Sequence, residues 1–114
     1  MNTPSVTAST VLPALQPPMD KLIAALAAPV RWGILGELSA GEPLMVKELA
    51  ERLNCTPTLI SKHMAVLRRM GLVQVGRAGV YFIPPHFVRS TAERHVDFGH
   101  CLLRLPGATP PAPA

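Results

Sequence analysis

Between Val46 and Ile83 the spacing of apolar positions changes repeatedly, and each change marks an element. Val46, Leu49 and Leu53 recur at i, i+3 and i+7, one face of a helix, while Lys47, Glu48, Glu51 and Arg52 fill the other. Asn54 ends that helix, because its short polar side chain tolerates the left-handed backbone of a tight turn. Thr56 then reads as an N-cap and Pro57 as the first helical residue: the hydroxyl takes an orphan N–H, and the proline has none to lose. Ile60, Met64 and Leu67 carry the next stripe at i, i+4 and i+7, so the spacing predicts a second helix from Pro57 to about Met70. Thr58, Ser61, Lys62, Ala65, Arg68 and Arg69 are left facing outward. Gly71 supplies the stop. Beyond it, Leu72 to Val75 and Val80 to Ile83 read as short strands around the turn residues Gly76, Arg77, Ala78 and Gly79.

Upstream, Leu22, Ile23, Leu26 and Ala27 form an apolar stripe with Asp20 and Lys21 at its outer end, and Pro29 opens a further helix through Ile34, Leu35 and Leu38 toward Gly41. Trp32, the only tryptophan, is expected to cover the core or a dimer seam. Helix, tight turn, basic-ended helix and hairpin follow one another in the order of a winged helix-turn-helix. The expected class is therefore mainly α with a small β-hairpin wing. The segment from Arg94 to Leu105 keeps two readings open. Val96, Phe98, His100 and Leu102 alternate, and Gly99 in mid-helix would cost about 1 kcal/mol relative to alanine, which favours an extended strand over a dimerisation helix. A strand with apolar residues on both faces would need a partner, either the wing hairpin or the twin strand of a second subunit. In both readings the segment is expected to form the dimer.

Composition supports one core and no more: the chain has 114 residues, 48% of them hydrophobic. Prolines gather at the ends, with Pro4, Pro13, Pro17 and Pro18 at one and Pro106, Pro110, Pro111 and Pro113 at the other. The expected organisation is a disordered tail over 1–18, a DNA-binding and dimerisation domain over 19–105, and a disordered tail over 106–114. No basic start with a long apolar run suggests a signal peptide, and no apolar segment approaches the ~20 residues of a membrane span. The expected location is the cytoplasm. Two cysteines, Cys55 and Cys101, do not make a secreted disulfide framework.

The formal net charge is +4, and its placement matters more than its size. From Thr56 to Arg94 six cations (Lys62, Arg68, Arg69, Arg77, Arg89 and Arg94) face one acid, Glu93, while the remainder of the chain is close to neutral. A basic surplus beginning on an outward helix face is the electrostatic footprint expected for phosphates.

From Leu26 to Ile83 the chain resembles the ArsR-type family of bacterial winged-helix repressors. "LAAPVRWGILGEL" is similar to the family's Leu-Ala-Asp-Pro-Thr-Arg segment, and "TPTLISKHMAVLRRMGLV" to its recognition helix, with Ser61, His63, Leu67, Arg68 and Gly71 in step. The resemblance implies a homodimer that binds a palindromic operator in double-stranded DNA and releases it when an inducer binds. It also implies that the first helix joins the dimer interface, that the first turns of the recognition helix read bases, and that His63 sits at the margin of the DNA, partly packed. The candidate DNA-binding residues are Thr56, Thr58, Ser61, Lys62, Arg68, Arg69 and Arg77. Pro57 stands where the family often has a glutamine, so the bidentate adenine contact is missing. Arg68 and Arg69 lie about 15 Å along the helix at 1.5 Å per residue, better placed for backbone than for bases. The wing is short, with Arg77 its sole cation.

The family's thiolate metal site, a Cys-x-Cys-Asp element, has no counterpart in "LMVKELAERL". His95, Asp97, His100 and Cys101 offer ligand atoms near the C-terminus without the family's spacings, so no cofactor is expected and metal sensing stands as an alternative. Cys55, just before the recognition helix, provides a second alternative, a thiol switch. A winged-helix module that binds protein is the third. No Gly-rich phosphate loop, His-Glu-x-x-His or partnered nucleophile points to an enzyme.

Overall fold

The computed structural model describes residues 16–105, and the expected tails lie outside them apart from Gln16, Pro17 and Pro18. Four helices come first: α1 (Met19–Ala25), α2 (Pro29–Leu38), α3 (Val46–Leu53) and α4 (Pro57–Arg69). Five short strands follow: β1 (Gln74–Val75), β2 (Tyr81–Phe82), β3 (Val88–Ser90), β4 (His95–Asp97) and β5 (Leu102–Arg104). β1 and β2 form the wing, an antiparallel pair with Gln74 opposite Phe82 and Val75 opposite Tyr81. The fold is the winged helix-turn-helix expected from the sequence.

Local chemistry sets the helix ends. Glu48 reaches back from the first turn of α3 to accept the Met45 N–H at 2.8 Å. Asn54 takes the left-handed conformation, φ 54° and ψ 46°, and turns the chain sharply after α3. Thr56 Oγ1 accepts the Leu59 N–H at 3.2 Å, with Pro57 following as the first residue of α4. Gly71, at φ +80°, stops α4 in a conformation that a side chain would strain.

Ile34, Leu35 and Leu38 of α2, Leu49 and Ala50 of α3, and Ile60, Met64 and Leu67 of α4 interlock in a single buried cluster. Glu37 is buried on α2 and is held by Arg52 of α3 at 3.1 Å, while the same guanidinium reaches Glu42 at 3.3 Å. Arg52 therefore fixes α3 against α2 and the loop that follows it.

The end of α1 closes with the Leu26 N–H on the Leu22 carbonyl and the Ala27 N–H on the Ala24 carbonyl, and α2 adds side-chain donors to it. Arg31 donates to the Ala25 carbonyl at 2.5 Å and to that of Ala24 at 3.2 Å, and the Trp32 indole N–H donates to the Leu26 carbonyl. They fall on the last carbonyls of the helix, which lack the full set of partners found in its interior. The expected stripe on α1 is only partly buried, since Leu22 and Ala25 turn inward while Ile23 is 62% exposed. Seven residues make barely two turns, and only one side of them rests on the core.

The C-terminal segment is strand, not helix. Within the chain its partner is not the wing: β4 lies between β3 and β5 in a separate three-stranded antiparallel sheet. Asp97 opposite Leu102 leaves Gly99 and His100 as a hairpin loop, closed by the Phe98 N–H on the Cys101 carbonyl at 3.0 Å. Gly99 sits at φ +98°, and a Cβ there would fall 2.3 Å from the Gln16 Cγ that crosses it. The glycine that argues against a helix is thus a hairpin-loop residue. Val96, Phe98 and Leu105 join the main core, where Phe98 meets Phe87 edge-on at 5.0 Å. Among the described residues no helix is long and apolar enough to cross a membrane.

Candidate nucleic-acid interface

Packing decides which side chains α4 can offer. Because Ile60, Met64 and Leu67 are buried, the opposite face of the helix projects Thr58, Ser61, Lys62, Ala65, Arg68 and Arg69, all exposed. No acid stands on this helix. Thr56 is different: its oxygen already accepts a hydrogen bond at the helix start, so its first role is structural. Arg77 is exposed at the wing tip, in a loop where Ala78 and Gly79 take positive φ of 60° and 75°. The Gly76 N–H closes that loop on the Val80 carbonyl at 2.7 Å.

The basic surplus divides once the chain is folded. Arg89 pairs with Asp97 at 2.9 Å, and Arg94, itself at φ 57°, donates to the Gly36 carbonyl at 2.6 Å. Both cations serve the C-terminal sheet. Counting them in a single footprint with the recognition helix is corrected accordingly: the outward set is Lys62, Arg68, Arg69 and Arg77.

His63 lies where the helix face meets the body. Its Nδ1 is 3.3 Å from Arg31 Nη1, and a guanidinium can only donate, so Nδ1 accepts and the ring proton resides on Nε2. Burial, followed by the nearby charges of Arg31 and Lys62, lowers the His63 pKa below its ordinary 6.5. The imidazole is neutral at pH 7.

Two shallow depressions flank Arg68 on the side toward the wing. One, of about 470 Å³, is lined by Ser61, Ala65, Arg68, Arg69 and Tyr81. The other, of about 420 Å³, is lined by Arg68, Gly71, Val73, Gln74 and Val75. Sequence reasoning brought Ser61, Arg68 and Arg69 together but missed Tyr81. Its only signal is the hairpin register, which sets Tyr81 opposite Val75 and turns a strand aromatic toward the helix.

The C-terminal ligand candidates are engaged separately. His95 faces Glu93 at 3.5 Å, Asp97 receives Arg89 and the Gly99 N–H at 2.8 Å, and His100 is exposed on the loop. Among the described residues no three His, Cys, Asp or Glu side chains are grouped to hold a metal ion. Cys55 and Cys101 are both free and half-buried. Burial, with Asp97 nearby, pushes the Cys101 thiol up and away from the reactive thiolate. Cys55 Sγ lies 3.4 Å from the Leu53 carbonyl.

Comparison with known proteins agrees with this geometry. A helix-turn-helix domain family matches residues 26–76. Among solved structures the chain is similar to HlyU from Vibrio cholerae, with 36% sequence identity and a TM-score of 0.51 over 56% of this chain and 72% of that one. No curated protein matches it.

Proposed function

Because the chain belongs to the ArsR-type family of winged helix-turn-helix regulators and is thus a DNA-binding transcriptional regulator, we propose that it represses by binding a palindromic operator as a homodimer. The observation that carries this reading is the outer face of α4. A helix buried on one side by Ile60, Met64 and Leu67 presents two hydroxyls near its start and cations beyond them, with no acid among them. That is the order a major groove asks for: short polar groups where base edges lie, and guanidinium groups where the backbone passes. Thr58, Ser61 and Lys62 read the operator, Arg68, Arg69 and Arg77 hold its phosphates, and Thr56 sets the helix start.

Two recognition helices related by a dimer axis would enter successive major grooves about one helical turn apart. Support for the dimer comes from apolar groups left outside the fold: Met19 is 44% exposed and Ile23 62% on α1, and Leu102 is 56% exposed on the edge strand β5. The regulator works in the cytoplasm by binding, without a catalytic step.

The test is a duplex selected by the protein from fragments of its host genome, titrated at several salt concentrations, with sedimentation of the free and bound protein. Repression through several phosphate contacts predicts a dimer on the duplex and an affinity that falls steeply as salt rises. A protein that stays monomeric and ignores DNA refutes the reading. An affinity for protein that is indifferent to salt would identify a protein-interaction module instead.

A further inference from the structure

We propose that the cleft between α4 and the wing strand β2 seats one phosphodiester of the operator backbone, with the Tyr81 hydroxyl as its fixed hydrogen-bond donor. The proposal rests on the operator-binding reading above and adds a residue to it.

Ser61, Ala65 and Arg68 fall at i, i+4 and i+7, one stripe of α4, and this stripe faces the wing. Ala65 ends at its methyl group, which leaves a hollow between the serine and the arginines. Tyr81 closes the hollow from the other side. Among the described residues the hydroxyls of Ser61 and Tyr81 and the guanidinium groups of Arg68 and Arg69 make no hydrogen bond or ion pair. Four residues that carry a donor group thus line one opening, and no acid lines it. That chemistry fits a phosphate oxygen.

Tyr81 differs from the arginines in rigidity. Its backbone is paired on both edges: with Val75 across the wing, and with Leu44 through two hydrogen bonds of 3.0 and 2.7 Å. A two-torsion side chain on so fixed a strand loses little freedom when it binds, whereas each arginine must order a long chain. Tyr81 accordingly sets where the backbone lies, and the arginines supply the charge.

A nucleic-acid phosphodiester and a free phosphate share this chemistry, and the position of the cleft selects the first. Ser61 belongs both to the cleft and to the face of α4 that reads bases, so a strand whose bases meet Thr58 and Ser61 carries its backbone past the opening. A contact of this kind positions the DNA and carries no sequence information.

The experiment uses the full chain and its Tyr81→Phe variant, which keeps the ring and removes the hydroxyl. Each is titrated with a duplex selected by the wild type from a random pool and with a scrambled duplex of equal length. The expected result is a loss of about tenfold on both duplexes. The dependence on salt should be unchanged, because a neutral donor releases no counterion. Ethylation interference should lose one phosphate position. Arg69→Gln, as the second variant, should instead lower the salt slope by about one.

Equal affinity of Tyr81→Phe and wild type, to within about twofold, overturns the proposal while leaving DNA binding intact. So does an altered base preference. Loss of inorganic-phosphate binding, read by NMR at Tyr81, with DNA affinity unchanged would mark a small-phosphate site and also overturn it. A wild type that binds neither duplex sinks the operator reading together with the proposal.

Discussion

Thr58 and Ser61 differ from Arg69 in what they can report about a DNA sequence. In the proposed operator reading, a short hydroxyl near the start of α4 contacts a base edge only if that base is the right one, whereas an exposed guanidinium in the last turn would meet phosphates on any duplex. Thr58→Ala and Ser61→Ala are therefore expected to flatten the preference at single positions of a randomised site, by about 1 to 3 kcal/mol for each well-formed hydrogen bond to a base that the substitution removes. Arg69→Ala should weaken binding about equally on every sequence. Binding titrations over the randomised site separate the two outcomes, and unaltered specificity in both hydroxyl variants would place base reading elsewhere. His63 gives this helix a dependence on pH. Its pKa is lowered in the folded protein, so the unfolded chain binds the proton more readily, and the stability contributed by the neutral ring is full above pH 6.5 and lost as pH falls below it. Protonation also removes the Nδ1 acceptor facing Arg31. Thermal melts should show the midpoint falling on acidification below pH 6.5. His63→Asn, which keeps an acceptor and cannot titrate, should flatten that part of the curve.

Helix α1 illustrates how one element borrows its stability from another. Its final carbonyls accept from Arg31 and Trp32 of α2, and the positive guanidinium sits where the helix dipole is negative. Arg31→Ala removes both of its hydrogen bonds to carbonyls and the one to His63 together. The expected loss is about 2 kcal/mol, read from the urea midpoint at constant m-value, with the amides of α1 exchanging faster than those of α3. The sequence "PVRW" was legible as a helix start through its proline, but not as a clamp, because nothing local tells an arginine which carbonyls will lie beside it. The helix-turn-helix itself was legible almost throughout, with α4 ending at Arg69 beside the expected Met70: Asn54, Thr56–Pro57 and Gly71 each act on their own neighbours, and the stripes of α3 and α4 sit on one face of each helix. The C-terminal sheet was legible only in part. Alternation and Gly99 indicated strand, whereas the choice of β3 as partner depends on Val88 meeting Val96 across an irregular register and on Arg94 reaching the Gly36 carbonyl, relations set by the folded chain alone. Tyr81 was missed for the same reason, since its neighbours on α4 are distant in sequence.

At the scale of the whole molecule, the sheet in the C-terminal segment changes what the proposed dimer can use. Val96, Phe98 and Leu105 are committed to the core, and of the large apolar side chains that stay exposed among the described residues Ile23 and Leu102 are the most open, so the proposed dimer is expected to use them. Ile23→Glu and Leu102→Glu are expected to leave the melting temperature of the monomer nearly unchanged and to shift sedimentation toward monomer, with operator affinity falling in step. Variants that remain dimeric would place the interface elsewhere. Leu44 and Tyr81 exchange both backbone hydrogen bonds, although α3, α4 and β1 lie between them in the chain. The wing hairpin and each helical turn close over short stretches, but this bridge closes a long loop, and its entropy is met only after the intervening helices have come together. On the folding path it is therefore a late event: a weakened bridge should quicken unfolding and leave the refolding rate almost untouched. The strand that carries Tyr81 thus reaches its fixed position only once α3 and α4 have packed, so the wing is ordered by the helices beside it.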